Sequence, residues 1–265
     1  MTFRDIQQMF DVDTTNELSK AFLELESNLS EGIRRAQRLN RPILVSVARM
    51  ISPRLAPADI FVGAQPAFPR SVFWSRPSEG FWIVGVGSAI LLASESSQPA
   101  IRAQQEYRRW LEGAVVDSPP TGGVGPILLG GITFDPGAER THVWKRFADY
   151  QFIIPQFVFT MTDGKQWLTI NSTVTARQDG KQVLEQIRQN FFQIGQQRGY
   201  STKQPRLLQI DEGSHQEWVS NVNRVLQDIE TGQLTKDVLA RRKQLTGDGD
   251  FSVHKVLSRL SSTYP

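Results

Sequence analysis

The chain has 265 residues, which suffices to bury roughly three quarters of the surface of the unfolded chain and permits one or two domains. Its composition, 39% apolar and 22% charged, is ordinary for a soluble globular protein, and no apolar run approaches the roughly 18 residues of a membrane span, which excludes a membrane protein. The 30 basic and 27 acidic residues are interspersed, and a net charge of +3 is too weak an excess to indicate nucleic-acid binding.

Cysteine is absent from the chain, which excludes disulfides and thiolate metal sites and fits a reducing compartment. The N-terminal residues 1–5 contain no apolar stretch of the signal-peptide type, so we expect a cytoplasmic protein. The three histidines, His142, His215 and His254, lie far apart without metal-ligand spacing and are expected to be ordinary surface or core residues.

The first regular element is a predicted helix over residues 16–38, which ends before Pro42. Its apolar residues recur at the spacing that collects side chains on one face of a helix. This stripe consists of Leu18, Phe22, Leu23, Leu25, Leu29 and Ile33.

Three strands are predicted after this helix, at residues 43–47, 72–75 and 80–92. Gly85 and Gly87, within the third strand, indicate a close backbone approach or a bulge. The pair resembles the start of a dinucleotide fingerprint, but the third glycine is replaced by isoleucine and no βαβ rhythm follows. The sequence therefore argues against nucleotide binding.

The middle of the chain predicts a helix over residues 99–111, a turn-rich loop at 117–125 and strands at 127–134, 152–160 and 167–175. Apolar and polar residues alternate in the last strand, which predicts one buried and one solvated face. Leu168, Ile170 and Val174 are expected to point inward, and Thr169, Asn171, Thr173 and Thr175 outward. Asp163-Gly164 predicts a hairpin between the last two strands, and runs of strands with one wet face indicate antiparallel pairing.

A helix over residues 181–198 and a linker at 198–205 are predicted to close an N-terminal part, residues 1–205. The core stripe of the helix is Val183, Leu184, Ile187, Phe191 and Ile194. The remaining part, residues 206–265, begins a second region and ends in a helix that Ser252 is expected to cap.

A further amphipathic helix follows Ser214 in this second region. Ser214 and Glu217 have the spacing of a capping box, and Gly232 stands where a helix ends in the left-handed conformation. The apolar face comprises Trp218, Val222, Val225, Leu226 and Ile229. The helix therefore has both a start and a stop signal.

The next segment, residues 234–241, predicts a short strand that carries Lys236 on the same face as Leu234, Val238 and Ala240. One interpretation is an edge strand whose lysine discourages aggregation or extends its ammonium group to water. The other is a lysine that burial in a pocket turns into a general base, because desolvation disfavours the charged form.

Several segments, which are spread over most of the chain, resemble the chorismate-utilising enzymes. They are Phe73-Trp74-Ser75-Arg76-Pro77, Gly85-Val86-Gly87-Ser88, Gly130-Gly131-Ile132-Thr133-Phe134-Asp135 with Trp144 and Phe147, and Ile229-Glu-Thr-Gly-Gln-Leu-Thr-Lys236-Asp-Val-Leu-Ala-Arg241. The family includes isochorismate synthase, salicylate synthase and anthranilate synthase component I. The resemblance implies an α+β fold in which antiparallel sheets pack as a sandwich with helices on the outside.

Within this family, lysine in the last motif is typical of the member that adds water, so the resemblance favours isochorismate synthase, with Lys236 as the catalytic residue. The implied reaction converts chorismate to isochorismate with magnesium as cofactor, in menaquinone or siderophore biosynthesis. Asp237 departs from the family pattern, which has an aliphatic residue there, and a buried Asp237 needs a polar partner or water.

The resemblance also implies that the chain is truncated within the catalytic region. The family's glutamate acid and magnesium ligands are expected in a C-terminal continuation, so we expect this chain to be inactive unless a complementing C-terminal fragment joins it. Two alternatives remain, a non-catalytic binding or scaffold fragment and an enzyme of the salicylate or anthranilate synthase type.

Overall fold

The structure, a computed structural model, describes residues 12–52, 55–140, 144–196 and 204–264. Residues 1–5, His142 and most of the predicted linker 198–205 lie outside the described residues. The chain divides into two compact units, one of residues 1–200 with 257–265 and one of residues 201–256. The functional boundary placed after residue 205 stays a prediction.

The first unit contains most of the regular structure. Its helices are α1 (Val12–Leu39), α2 (Pro57–Ala64), α3 (Pro99–Leu111) and α4 (Gly180–Gln196). Its strands are β1 (Ile43–Ile51), β2 (Ser71–Arg76), β3 (Phe81–Val86), β4 (Ile90–Ser94), β5 (Val115–Asp117), β6 (Leu129–Ile132), β7 (Tyr150–Ile154), β8 (Phe157–Thr162) and β9 (Lys165–Val174), with a 3-10 turn at Pro77–Glu79.

The second unit has three complete elements. They are β10 (Leu207–Asp211), α5 (His215–Glu230) and β11 (Gln244–Gly247). A terminal helix, α6 (Val253–Thr263), follows, and the hydroxyl of Ser252 accepts the Lys255 N–H at 3.4 Å, which confirms the predicted cap.

Two sheets form a sandwich in the first unit. The larger has the strand order β2-β3-β8-β9-β1-β5 and the smaller β4-β7-β6, and every pairing except the parallel β1–β5 pair is antiparallel. One face of the larger sheet packs with α1, α2 and α4 in the main core. Leu44, on the opposite face, packs with Ile90, Tyr150 and Ile154 of the smaller sheet and with Ala103 of α3. The predicted α+β sandwich is confirmed.

Helix α1 covers the larger sheet with its apolar stripe. Leu18, Phe22, Leu25 and Leu29 are buried, because they share the face that meets β1 and α4. Leu23 was expected to join them but lies on another face of the helix and is 64% exposed.

Two predicted strands are each divided into two by the structure. The stretch 80–92 leaves one sheet after Val86 and joins the other at Ile90, and Gly87 between them has a φ of 67°. The stretch 152–160 is divided in the same way at Pro155, whose ring leaves no N–H to continue a ladder. These single-strand predictions were wrong because each segment passes from one sheet to the other.

Gly85 of β3, in the larger sheet, lies close to Leu129 of the smaller sheet and to Pro155 between β7 and β8. A Cβ atom at this position would be 2.6 Å from Cγ of Pro155 and 2.9 Å from Cδ1 of Leu129. The close backbone approach that the sequence indicated at this glycine is therefore confirmed.

The predicted wet face of β9 is largely buried. Thr169 and Asn171 have no exposed surface, although Leu168 and Ile170 point to the main core as expected. Thr169 Oγ1 accepts the Gly125 N–H at 3.0 Å, and Asn171 Nδ2 donates to the Pro155 carbonyl at 2.8 Å. The prediction was wrong because the loop after β5 and the turn between β7 and β8 cover these side chains.

The remaining outcomes concern one hairpin, one short helix, three short strands and the search for membrane-spanning helices. The hairpin at Asp163-Gly164 is confirmed, with positive φ at both residues. Helix α2 and strand β5 were missed because eight and three residues are too short to display a period. Strands β10 and β11 were also missed. None of the helices within the described ranges combines the length and the apolar character needed to cross a membrane.

Candidate functional site

The unit of residues 201–256 carries the predicted catalytic segment. Its two strands, β10 and β11, pair in antiparallel fashion, and α5 lies between them in the sequence. The Asp248 carboxylate accepts the Arg206 N–H at 2.8 Å, and the Arg206 carbonyl accepts the Asp248 N–H at 3.1 Å. These reciprocal bonds close one end of the two-stranded ribbon.

Helix α5 begins and ends where the sequence predicts. Ser214 Oγ accepts the Glu217 N–H at 3.2 Å, which satisfies one of the free donors of the first turn. At the other end, Gly232 has a φ of 73° and donates to the Ile229 carbonyl, and Gln233 donates to Asp228 at 2.9 Å. The helix therefore ends at Glu230, and three residues separate it from the segment that contains the lysine.

The predicted strand at residues 234–241 is absent from the described structure, where this segment is irregular. Val238 is 79% exposed, and Lys236 is exposed as well. The strand prediction fails because no described strand lies beside the segment to pair with its backbone groups. Lys236 is therefore not desolvated by the described residues.

Both ends of this segment are nevertheless fixed. The Leu234 N–H donates to the Asp228 carbonyl at the end of α5 over 3.1 Å. Beyond the lysine, Arg241 donates from Nε to the Glu212 carbonyl at 3.0 Å, and its Nη2 lies 3.4 Å from Glu212 Oε2. Lys243 pairs with the same carboxylate, and its hydrogen bond lowers the pKa of Glu212. The lysine thus lies in an exposed span between two anchored ends.

Asp237, which departs from the family pattern, forms a hydrogen bond with the backbone of the next residue. Its Oδ1 accepts the Val238 N–H at 2.7 Å, and the side chain is exposed. In this exposed position the carboxylate carries no burial cost.

One pocket of this unit lies beside Arg241 and another lies along α5, and Lys236 lines neither of them. A pocket of about 230 Å³ is lined by residues that include Glu212, Trp218, Arg241 and Arg242, and Lys236 does not line it. The structure therefore places the predicted base outside this pocket.

A larger groove, of about 780 Å³, lies in the first unit. We call it the β6 groove, because it runs along β6, the start of β2 and the loop before β7. Its walls include Arg70, Val72, Leu129, Gly130, Gly131, Ile132, Phe134, Trp144, Phe147 and Ile153. Phe134 is 104% exposed and Trp144 59% exposed, so aromatic rings stand at its mouth.

An ion network holds the loop beside this groove. The Arg140 guanidinium pairs with Glu95 and Asp149 and donates from Nη1 to the Phe147 carbonyl at 2.6 Å. The Ser96 N–H, donating to the Asp149 carboxylate at 2.7 Å, is the main cause of the lowered pKa of Asp149, and Arg140 contributes to it. The aromatic loop is therefore tied to β7 and to the end of β4.

No group of three or more His, Cys, Asp or Glu side chains in the described ranges is placed to hold a metal ion. His215 opens α5 and His254 lies in α6.

Comparison with known proteins identifies the family. A family model described as chorismate binding enzyme matches residues 31–265. The chain belongs to this family. The resemblance read from the sequence motifs is confirmed.

Two curated relatives of this chain are isochorismate synthases by name. Isochorismate synthase MenF of Bacillus subtilis is 28% identical over 235 residues, 86% of this chain and 50% of the relative. The salicylate biosynthesis isochorismate synthase of Pseudomonas aeruginosa is 24% identical over 247 residues, 92% of this chain and 50% of the relative. The chain spans about half the length of each.

The fold has a counterpart among solved structures. The menaquinone-specific isochorismate synthase MenF of Escherichia coli superposes with a TM-score of 0.56 at 14% identity, covering 91% of this chain and 49% of that one. This chorismate-binding family member therefore shares the fold over most of its described length.

The β6 groove was not predicted from the sequence. Its residues come from several elements, and only Gly130 to Phe134, Trp144 and Phe147 had been singled out, as parts of the family resemblance. The one signal that could have located it is this group of motif residues, which the structure brings to a single surface.

Proposed function

We propose that this chain carries the lysine-bearing half of an isochorismate synthase, and that conversion of chorismate to isochorismate also needs the half of the relatives' length that this chain does not span. The observation that supports this most directly is Lys236 and its motif, within the matched family region, in a chain whose two curated relatives are isochorismate synthases. A cytoplasmic location and a role in menaquinone or siderophore biosynthesis belong to the same proposal.

In the proposed reaction, water attacks C2 of the chorismate ring while the hydroxyl group on C4 leaves. Lys236, in its neutral form, takes a proton from the attacking water, and an acid gives a proton to the departing hydroxyl. The ring double bonds shift between the two positions, so the product is an isomer and no redox partner is needed. General-base help of this kind is worth about 10²–10⁴-fold in rate.

The exposure of Lys236 is the reason why the proposal includes the second half. A lysine acts as a base near neutral pH only when desolvation lowers its pKa well below about 10.4. The described residues leave this side chain exposed, so the surface that covers it has to come from elsewhere. Because the chain spans half the length of its relatives, the other half of their length is the natural source.

Magnesium enters the proposal only as an ion bound by that second half. It would hold a carboxylate of the substrate and fix the ring. Within the described residues there is no group of three or more His, Cys, Asp or Glu side chains placed to hold a metal ion, and no step is assigned to magnesium bound by this chain.

The test measures chorismate consumption by the isolated chain with magnesium, and then by the chain mixed with the half of the Bacillus subtilis isochorismate synthase that it does not match. We expect no turnover alone and formation of isochorismate in the mixture. Appreciable turnover by the isolated chain would show that the second half is dispensable. Release of pyruvate would instead identify a salicylate or anthranilate synthase type.

A non-catalytic binding role is the second candidate, and the exposed Lys236 is the observation that favours it. It predicts a stable, monomeric chain without affinity for chorismate and without turnover in the mixture. Chorismate binding measured by calorimetry on the mixture separates the two proposals.

A further inference from the structure

Residues 234–241, which we call the lysine segment, form a closed loop with helix α5. At one end the Leu234 N–H donates to the carbonyl of Asp228, in the last turn of α5, at 3.1 Å. At the other end Arg241 donates from Nε to the carbonyl of Glu212, just before the start of the helix, at 3.0 Å. The lysine segment therefore runs back along α5, from its last turn to the residues that precede its first.

The length of α5 leaves this segment little slack. From His215, the first residue of the helix, to Asp228 the axis rises by about 20 Å, at about 1.5 Å per residue. The backbone from Leu234 to Arg241 reaches about 23 Å when it is fully extended, at about 3.3 Å per residue. The Arg241 side chain covers the additional distance to Glu212, which lies before the helix. The lysine segment must therefore stay close to full extension.

The exposure of successive side chains agrees with an extended segment. Leu239 is half-buried, whereas Val238 is 79% exposed and Ala240 is exposed, which is the alternation of an extended backbone. Lys236 is two residues from Val238 and is exposed as well. The extended backbone therefore presents Lys236 on the face opposite to Leu239.

The end of the segment at Arg241 is held by two contacts with the same residue. Besides the bond from Nε to the Glu212 carbonyl, Nη2 lies 3.4 Å from the Glu212 carboxylate, whose other oxygen pairs with Lys243. The carboxylate is 47% exposed, so the ion pair contributes little, and the bond to the carbonyl is the main restraint. The planar guanidinium suits this contact, because it offers several donors in a fixed geometry.

We propose that Arg241 is a positioning residue for the reaction. Its contact with Glu212 keeps the lysine segment extended, so that Lys236 is presented at a fixed place along α5. This role in catalysis rests on the proposed function, which takes Lys236 as the base. A reacting group that is already in place lowers the entropy cost of the reaction, and a small misplacement can cost about 10²-fold in rate.

Backbone order parameters of the isolated chain test the restraint without any activity. For the amides of residues 235–240 we expect about 0.85, the value of a rigid backbone, in the unmodified chain and less than about 0.6 in Arg241→Ala. Arg242→Ala is the matched control, because Arg242 lines the same pocket but forms no hydrogen bond or ion pair with the described residues. Low values in the unmodified chain, or high values in Arg241→Ala, overturn the proposal.

A pair of insertions tests the extension separately from the arginine. Two glycines between Leu239 and Ala240 add about 7 Å of slack and keep the alternation of faces, so Arg241 can still reach Glu212. We expect the order parameters to fall as in Arg241→Ala. The same insertion between residues 249 and 250, outside the loop, should leave them unchanged. If Arg241→Ala does not fold, this pair decides, and unchanged values in the first insertion overturn the proposal.

Kinetics in the mixture with the unmatched half of the Bacillus subtilis isochorismate synthase test the role in catalysis. Arg241→Ala should lower kcat by about 10²-fold and leave KM nearly unchanged, because the substrate is not its contact. In a Lys236→Ala background, Arg241→Ala should have little further effect, because it acts through the lysine. Additive losses, which a merely structural role would give, overturn the positioning role.

The two proposals fail separately. A mixture that is inactive with the unmodified chain counts against the proposed function, and the order parameters then still decide whether Arg241 restrains the lysine segment. An active mixture in which Arg241→Ala keeps its full kcat overturns the positioning role and leaves the proposed function standing.

Discussion

Arg241 donates a hydrogen bond from Nε to the backbone carbonyl of Glu212 over 3.0 Å, and this bond fixes one end of the segment that carries Lys236. The other end is held by the Leu234 N–H at the end of α5. Between these anchors the chain is irregular and exposed. Both ends of the lysine segment are thus fixed by hydrogen bonds, whereas the described residues leave the Lys236 side chain exposed.

Replacement of the proposed base should remove activity without affecting the fold. In the mixture with the unmatched half of the relative, Lys236→Ala should lower kcat by about 10²–10⁴, the usual contribution of a general base. Because Lys236 is exposed, the melting temperature of the isolated chain should not change. Lys165→Ala, which truncates an exposed lysine in the β8–β9 hairpin, is the control. Equal activity of the two variants would contradict the assignment.

The pairing of Glu212 should make the second unit sensitive to acid. Because hydrogen bonding from Lys243 lowers the pKa of Glu212 in the folded state, its contribution is present above the unfolded value of about 4.3 and is lost as pH falls through the lower folded value. The protection of amides across residues 206–247, which is the exchange rate corrected for its intrinsic pH dependence, should therefore fall below about pH 4. Glu212→Gln should remove this acid dependence, and Glu230→Gln should keep it.

The buried polar face of β9 should be costly to disturb. Thr169→Val preserves the side-chain shape but leaves the buried Gly125 N–H without its acceptor, so the free energy of unfolding should fall by about 1–3 kcal/mol. Thr173→Val is the control, because Thr173 is half-buried and its hydroxyl bonds to none of the described residues. Chemical denaturation of both variants measures the difference. Equal stabilities would show that the face is solvated after all.

The close approach of the two sheets should be sensitive to a single methyl group. Gly85→Ala places Cβ 2.6 Å from Cγ of Pro155, and the resulting overpacking should cost about 1–3 kcal/mol. Gly131→Ala adds the same group where nothing lies within 4 Å, and its effect should stay within about 0.5 kcal/mol. Thermal melts of the two variants provide the comparison, and an unchanged melting temperature for Gly85→Ala would contradict the packing described.

The exposed apolar side chains of the second unit should make the isolated chain bind a hydrophobic dye or aggregate. Leu226, Leu234 and Val238 are all exposed. Dye fluorescence should fall when the unmatched half of the relative is added, because association covers apolar surface. A sharp, reversible melt of a monomer that does not bind dye would contradict this expectation.

The sequence predicted those parts of the fold whose causes are local. Helix α3 has the predicted bounds, and α5 has the predicted cap at Ser214 and stop at Gly232, because a helix period and its caps lie within one segment. The strand breaks near Gly87 and Pro155 were missed because apolar residues continue on both sides of each break. Which sheet a strand joins depends on distant neighbours, and no single segment reveals it.

The environment of the candidate site residues also depends on residues that are distant in the sequence. The family motif located Lys236, but its exposure depends on what lies beside residues 234–241, and the motif does not encode that. The burial of Thr169 depends on the loop at Gly125, 44 residues away. The β6 groove combines residues from Pro69 to Ile153, so only the folded chain shows it.

The passage of two neighbouring strands from one sheet to the other has a mechanical consequence. Val86 faces Phe157 in the larger sheet, Ile90 faces Ile154 in the smaller one, and the Ala89 N–H bonds to Ile154 between them at 2.9 Å. The two strand pairs thus form one bent ribbon that belongs to both layers. A register slip in either layer would have to be copied into the other, so the sandwich should melt as a single cooperative block, with no half-open state in which one layer survives alone.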